Sequence, residues 1–114
     1  MQVTRYEFGR IEVDGKTFTS DVIILPEQVN AEWWRKQGHR LDRDDLEEVV
    51  ASRPEVLVIG TGCYGRMMVP DETRTFLEAQ GIELHIAPTA TAVEEFNRLQ
   101  RQCANVVAAL HLTC

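Results

Sequence analysis

The run Val56-Leu57-Val58-Ile59 constrains this chain more than any other feature. Four apolar residues, three of them β-branched, stand between Arg53-Pro54 and Gly60. A run this short and this continuously apolar reads as a strand buried on both faces. Pro70-Asp71-Glu72 then has the form of a helix start, with Phe76, Leu77 and Ala79 behind it and Gly81 as the residue that closes it. Ile82-Glu83-Leu84-His85-Ile86 returns as a second strand. Strand, short crossover helix and strand make a parallel, right-handed unit in nearly all cases.

The elements around this unit are antiparallel or helical. Arg10-Ile11-Glu12-Val13 alternates with the period of a half-buried strand, Asp14-Gly15 is a type I′ turn signal, and Lys16-Thr17-Phe18-Thr19 is the returning arm. Val22-Ile23-Ile24-Leu25, stopped by Pro26, is a further buried strand. Val29 to Leu41 is compatible with a strand or an irregular loop. Asp42 is an N-cap for a helix that runs to Arg53-Pro54 and buries Leu46, Val49 and Val50. Thr91-Ala92-Val93-Glu94 matches a capping box, followed by a stripe of Val93, Phe96, Leu99 and Cys103. Val106 to Leu112 is a last strand. The expected fold is α/β: a mixed β-sheet with a parallel centre, an N-terminal antiparallel hairpin, one β-α-β crossover, and helices packed over the faces.

A chain of 114 residues, 44% hydrophobic and 26% charged, suits a single globular domain over residues 1–114. Twelve basic residues are scattered among eighteen acids, for a net charge of −6. Nucleic acid and anionic membranes are therefore not expected partners, since both call for clustered Lys and Arg. No apolar run approaches the roughly 20 residues that cross a bilayer. Met1 to Arg5 carries neither a signal core nor an Arg-rich presequence, and three widely spaced cysteines suit a reducing compartment. The expected location is cytoplasmic.

Several separated blocks resemble one family. They are Asp21-Val22-Ile23-Ile24 with Pro26, Trp33-Trp34-Arg35 to Gly38-His39, Pro54-Glu55-Val56-Leu57-Val58-Ile59-Gly60-Thr61-Gly62, and His111-Leu112-Thr113-Cys114. In this order they resemble the Mth938-like domain family, which includes an adipogenesis-associated protein and a mitochondrial complex I assembly factor. The resemblance runs from about Tyr6 to the end of the sequence. It implies a compact three-layer fold around a central mixed sheet and an assembly-factor-like role, and it carries no catalytic motif.

Two places could carry recognition. Gly60-Thr61-Gly62-Cys63-Tyr64-Gly65 satisfies G-x-G-x-x-G after a strand, but the next helix starts near Pro70 and no acid follows the next strand, so dinucleotide binding fits poorly. The backbone amides of Gly60, Thr61, Gly62, Cys63, Tyr64 and Gly65, with Arg66, could instead hold a small anion; the alternative is an empty solvated loop. Cys63 is a reactive thiol if the turn lowers its pKa and a space-filler otherwise. His111 and Cys114 fall on opposite strand faces, which opposes a shared metal, and His111 reads as a strand histidine with a satisfied hydrogen bond. Trp33 and Trp34 alternate sides in an extended chain, so with Arg35 they either present an interface anchor or fill the core. The Asp42–Glu48 acids read as a cap and a solvated helix face.

No acid–base, nucleophile–base or metal constellation stands out. The leading reading is a non-catalytic protein-binding or assembly module that meets a protein partner, or a second copy of itself, through Trp33, Trp34 and Arg35. The alternative is a site for a small anionic ligand, enzymatic or not, at the glycine-rich loop Gly60–Met68 with Cys63 as its thiol. Neither reading assigns a cofactor, a metal or a catalytic residue.

Overall fold

The computed structural model describes residues 1–102 and 105–114, so Cys103, expected in the core, lies outside the described residues. The chain runs β1 (Val3–Glu7), β2 (Arg10–Val13), β3 (Lys16–Phe18), β4 (Val22–Ile24) and β5 (Val29–Asn30). A 3₁₀ turn (Arg43–Leu46) then leads into α1 (Glu47–Ala51), β6 (Val56–Thr61), α2 (Asp71–Ala79), β7 (Glu83–Ala87), α3 (Thr89–Leu99) and β8 (Val106–His111).

The apolar run lies where its composition requires. β6 sits inside a mixed sheet of order β5-β4-β8-β6-β7 and is buried at every residue. It pairs in parallel with β7 on one side, Val58 opposite His85, and with β8 on the other, Val58 opposite Ala108. β4 runs antiparallel to β8, with Val22 opposite Leu110, and β5 forms the edge beside it. Two crossovers build the parallel centre. The chain steps outward from β6 through α2 to β7, then back over β6 through α3 to β8. Right-handedness in both steps puts the two helices on opposite faces.

Side-chain alternation along the central strands feeds two cores. Val58, Ala108 and Leu110 pack on one face with Phe96 of α3 and with Ile11 and Val13. Those last two come from a separate antiparallel sheet, β1-β2-β3, turned by Asp14 and Gly15 at positive φ (50° and 81°). Leu57, Ile59 and Ala109 face the other way, onto Leu46, Val49 and Leu77 from the 3₁₀ turn, α1 and α2. The result is three layers with the mixed sheet in the middle.

The structure extends the expected hairpin and relocates one cap. β1 joins the hairpin as a third strand, with only Val3 fully buried, which is why its pattern is quiet in the sequence. The last helix begins at Thr89 after Pro88, so Thr91 lies inside the first turn and caps nothing. Thr89 decides this start through tertiary bonds: its hydroxyl donates to the His111 carbonyl at 2.6 Å and accepts the Gly62 amide at 2.9 Å. Two glycines make this approach possible. A Cβ at Gly60 would meet Thr89 Oγ1 at 2.7 Å, and one at Gly62, whose φ is +108°, would strike the Cys114 backbone. Asp42 does precede the expected helix, its amide donating to the Asp45 carboxylate at 2.9 Å, but the first turn winds as 3₁₀. Val29 to Leu41 holds only the two residues of β5 and is otherwise irregular.

Candidate functional site

The Gly60–Arg66 segment leaves the sheet at the carboxyl end of β6, where α/β sheets place ligands. Its first residues, Gly60 and Thr61, belong to the strand itself. Beyond them the amides already have acceptors. Gly62 donates to Thr89 Oγ1, Cys63 to the Thr113 carbonyl at 2.6 Å, Gly65 to the Gly62 carbonyl at 3.2 Å and Arg66 to the Cys114 carbonyl at 3.0 Å. Thr61 spends its hydroxyl on the Ala87 carbonyl at 3.1 Å. An anion here would find the Tyr64 amide and the Arg66 side chain rather than a ring of converging N–H groups. Tyr64 and Arg66 face outward, with the guanidinium 5.7 Å from the Tyr64 ring and Phe8 6.0 Å from it on the other hand.

Cys63 is half-buried beneath this turn. Its neighbour is Tyr6, whose hydroxyl donates to the Leu112 carbonyl at 2.8 Å. Burial, with the Cys63 thiol adding to it, pushes the Tyr6 phenol well above its usual range, so the phenol stays protonated.

The Trp-Trp-Arg block divides between interior and surface. Trp33 is 7% exposed and donates Nε1–H to the Asp45 carbonyl at 2.9 Å, while Trp34 is 77% exposed. Arg35 turns inward again and is 7% exposed, its guanidinium 4.7 Å from the Trp33 ring centre. Trp33 and Arg35, expected at a partner surface, are therefore interior groups, and only Trp34 is available for contact. The period of two that separates Trp33 from Trp34 applies equally to Arg35. Trp34 stands at a cleft of about 430 Å³ whose walls include Glu32, Asp44, Asp45, Glu47 and Glu48, with Lys36 as the one basic side chain. Lys36 is held at 3.1 Å by Asp44.

Arg35 ends in a cluster that the sequence did not announce. Its Nη2 lies 2.8 Å from the Asp21 carboxylate, 2.8 Å from the Gly38 carbonyl and 3.0 Å from His111 Nδ1. His111 Nδ1 is itself 2.8 Å from Asp21 Oδ2, and Asp21 Oδ1 accepts the Leu112 amide at 2.8 Å. Burial pushes the Asp21 carboxyl up, but the hydrogen bonds from His111, the Leu112 amide and Arg35 outweigh it and hold the group below its usual value. Nδ1 is thus the ring nitrogen that meets Asp21, and Nε2 lies on the far side of the His111 ring. His39 is exposed, and its ring stands edge-on to His111 at 5.7 Å.

The cluster is over-supplied on one side. Arg35 Nε, Arg35 Nη1 and His111 Nε2 are buried and find no hydrogen-bond partner among the described residues. Each such atom costs roughly 1–3 kcal/mol when it has no partner, a large sum beside the net stability of a domain. His111 thus satisfies one of its two ring nitrogens within the fold. No local signal joins these residues: Asp21 and His111 meet because β4 and β8 pair antiparallel and both reach their ends here.

Among the described residues, no group of three or more His, Cys, Asp or Glu is placed to hold a metal, and no helix is long and apolar enough to cross a membrane.

Residues 3–111 match the model of a family described as protein of unknown function, DUF498/DUF598. The chain belongs to this family. Similar solved structures carry the same fold. A conserved hypothetical protein from Pyrococcus horikoshii OT3 is 27% identical with a TM-score of 0.84, and the match covers 100% of each chain. A protein from Bordetella parapertussis is 29% identical with a TM-score of 0.80, over 96% of this chain and 92% of the other. A Bordetella pertussis protein described as a Mth938-like domain is 25% identical with a TM-score of 0.73, over 97% and 85%. Family and architecture are thus those of the Mth938-like domains.

Proposed function

We propose that this domain is a non-catalytic protein-binding module that docks a basic segment of its partner against Trp34. The observation that carries this reading is Trp34 itself, 77% exposed at the rim of a cleft walled by five acids and one lysine. Large aromatic side chains are the commonest energetic anchors at interfaces, and an acidic wall steers and selects a positively charged partner. The neighbouring Trp33 is locked by its bond to Asp45, so the backbone that presents Trp34 is held in place. The resemblance to a family that includes an assembly factor supports the same role.

An octalysine peptide is a direct probe. Titrated into the protein at low salt, it should shift the Trp34 emission to shorter wavelength, and the shift should shrink as salt rises. Partners recovered on the immobilised protein should be lost with Trp34→Ala, at a cost of about 2 kcal/mol, and with the double change Glu47→Lys, Glu48→Lys. Retention of the same partners by both variants would remove the reading. Sedimentation of the wild type and of Trp34→Ala tells a foreign partner from a second copy.

A further inference from the structure

Cys63 and Cys114 are distant in the sequence and neighbours in the fold. The Cys63 amide donates to the Thr113 carbonyl at 2.6 Å, and the Arg66 amide donates to the Cys114 carbonyl at 3.0 Å. Covalent geometry on either side of the first bond puts the two cysteine Cα atoms within about 7 Å of each other, inside the limit that a disulfide bridges. Gly62 permits the approach, because a Cβ there, at φ +108°, would strike the Cys114 backbone. The two side chains also share a side. Cys63 lies beside the Tyr6 hydroxyl, and Tyr6 packs on the core that holds Leu112. The Leu112 and Thr113 carbonyls point to different neighbours, the amides of Gly9 and Cys63, as in extended chain, so Cys114 follows Leu112 towards Tyr6. Both thiols are free and half-buried, within reach of a small molecule.

We propose that Cys63 and Cys114 are an oxidative modification site, a thiol pair that a peroxide converts to a disulfide and a small thiol resets. One thiolate attacks a peroxide oxygen, the O–O bond breaks, and a sulfenic acid forms with release of one water. The second thiolate attacks that sulfur, the S–O bond breaks, and the departing hydroxide takes up a proton and leaves as water. Two thiols and one hydrogen peroxide thus give one disulfide and two waters, with both electrons supplied by sulfur. Reduction runs by exchange: a small thiol opens the bond to a mixed disulfide, and a second one releases the remaining cysteine. The fold contributes proximity, because the backbone bonds at Cys63 and Arg66 already hold the two segments together before any sulfur reacts. Once closed, the link fixes residues 113–114 to the turn that presents Tyr64 and Arg66.

The test uses the whole chain, folded and dilute, treated with a few equivalents of hydrogen peroxide and then with a thiol-alkylating reagent. Mass spectrometry should show a monomer lighter by about 2 Da before alkylation, and one of the three cysteines left for the reagent. Fragmentation of the digested protein should place the link between Cys63 and Cys114. Dithiothreitol should restore all three thiols. Cys103→Ser should form the same link, while Cys63→Ser and Cys114→Ser should each abolish it. If a variant fails to fold, the fragment map of the wild type decides alone. Thiols that stay free, a link from either residue to Cys103 in its place, or sulfinic acids without a link overturn the proposal.

Discussion

The Gly60–Arg66 turn and the Asp21–Arg35–His111 cluster lie at the same end of the sheet and treat their polar groups in opposite ways. The turn has the glycines that a phosphate-binding loop needs, yet four of its amides are committed to acceptors inside the fold. The cluster has no glycine signature, and three of its buried nitrogens have no acceptor or donor among the described residues. Glycine in the turn answers a packing requirement: Gly60 lets Thr89 approach, and Gly62 lets the backbone of residues 113–114 pass. The polar atoms left without partners belong instead to Arg35 and His111, side chains that meet Asp21 where the pairing of β4 with β8 ends.

Breaking the cluster should produce the largest effect. Asp21→Ala leaves the Arg35 guanidinium buried without its counter-charge, and removing one partner of a buried pair typically costs 3–5 kcal/mol. The Asp21 side chain is 17% exposed, so water relieves part of this, and a loss of about 3 kcal/mol by urea denaturation is expected. A loss under about 1 kcal/mol would mean that the pair is solvated like a surface bridge. The pH dependence sharpens the same point. Asp21 titrates below its ordinary value of 3.8 when folded, so its contribution is complete above that pH and fades as pH falls through the lower folded value. Asp21→Asn should flatten the acid limb of the stability curve below pH 3.8.

Breaking the turn should cost somewhat less. Gly62 holds φ at +108°, and a side chain there meets the Cys114 backbone. Gly62→Ala is expected to lose roughly 2 kcal/mol through strain and to shift the amide resonances of Cys63 and Arg66. Tyr6 supplies a smaller and separable effect. Its folded phenol ionises above its ordinary value of 10.0, so the protein should lose stability as pH rises past that value, because the unfolded phenol ionises first. Tyr6→Phe should remove that alkaline slope, measured by urea midpoints on either side of it.

What the sequence conveys follows the range of the interactions. Val56–Ile59 announces a central strand because burial on both faces leaves no polar position, and Asp14-Gly15 announces a turn because the positive φ is local. β1 is silent because its outer face is polar and its inner contacts are distant. The start of α3 misleads because Thr91 and Glu94 have the local pattern of a cap, while Pro88 and the tertiary bonds of Thr89 decide the boundary. The cluster is invisible for the same reason: His111 and Asp21 are 90 residues apart and share nothing until β4 pairs with β8. Arg35, by contrast, was within reach, since a residue two after a buried Trp33 in extended chain points the same way.

The smallest expected stability effect is at Trp34, and it is the most informative about function. At 77% exposure the side chain contributes little to the fold, and Trp34→Ala should move the urea midpoint by no more than about 0.5 kcal/mol. Trp33→Ala, by contrast, empties a buried site and strands the Asp45 carbonyl, at a cost of about 3 kcal/mol or more. Two adjacent tryptophans thus separate stability from recognition. If Trp34→Ala destabilised the protein as much as Trp33→Ala, the ring would be covering the acidic cleft as part of the fold, and the docking role assigned to it would fall.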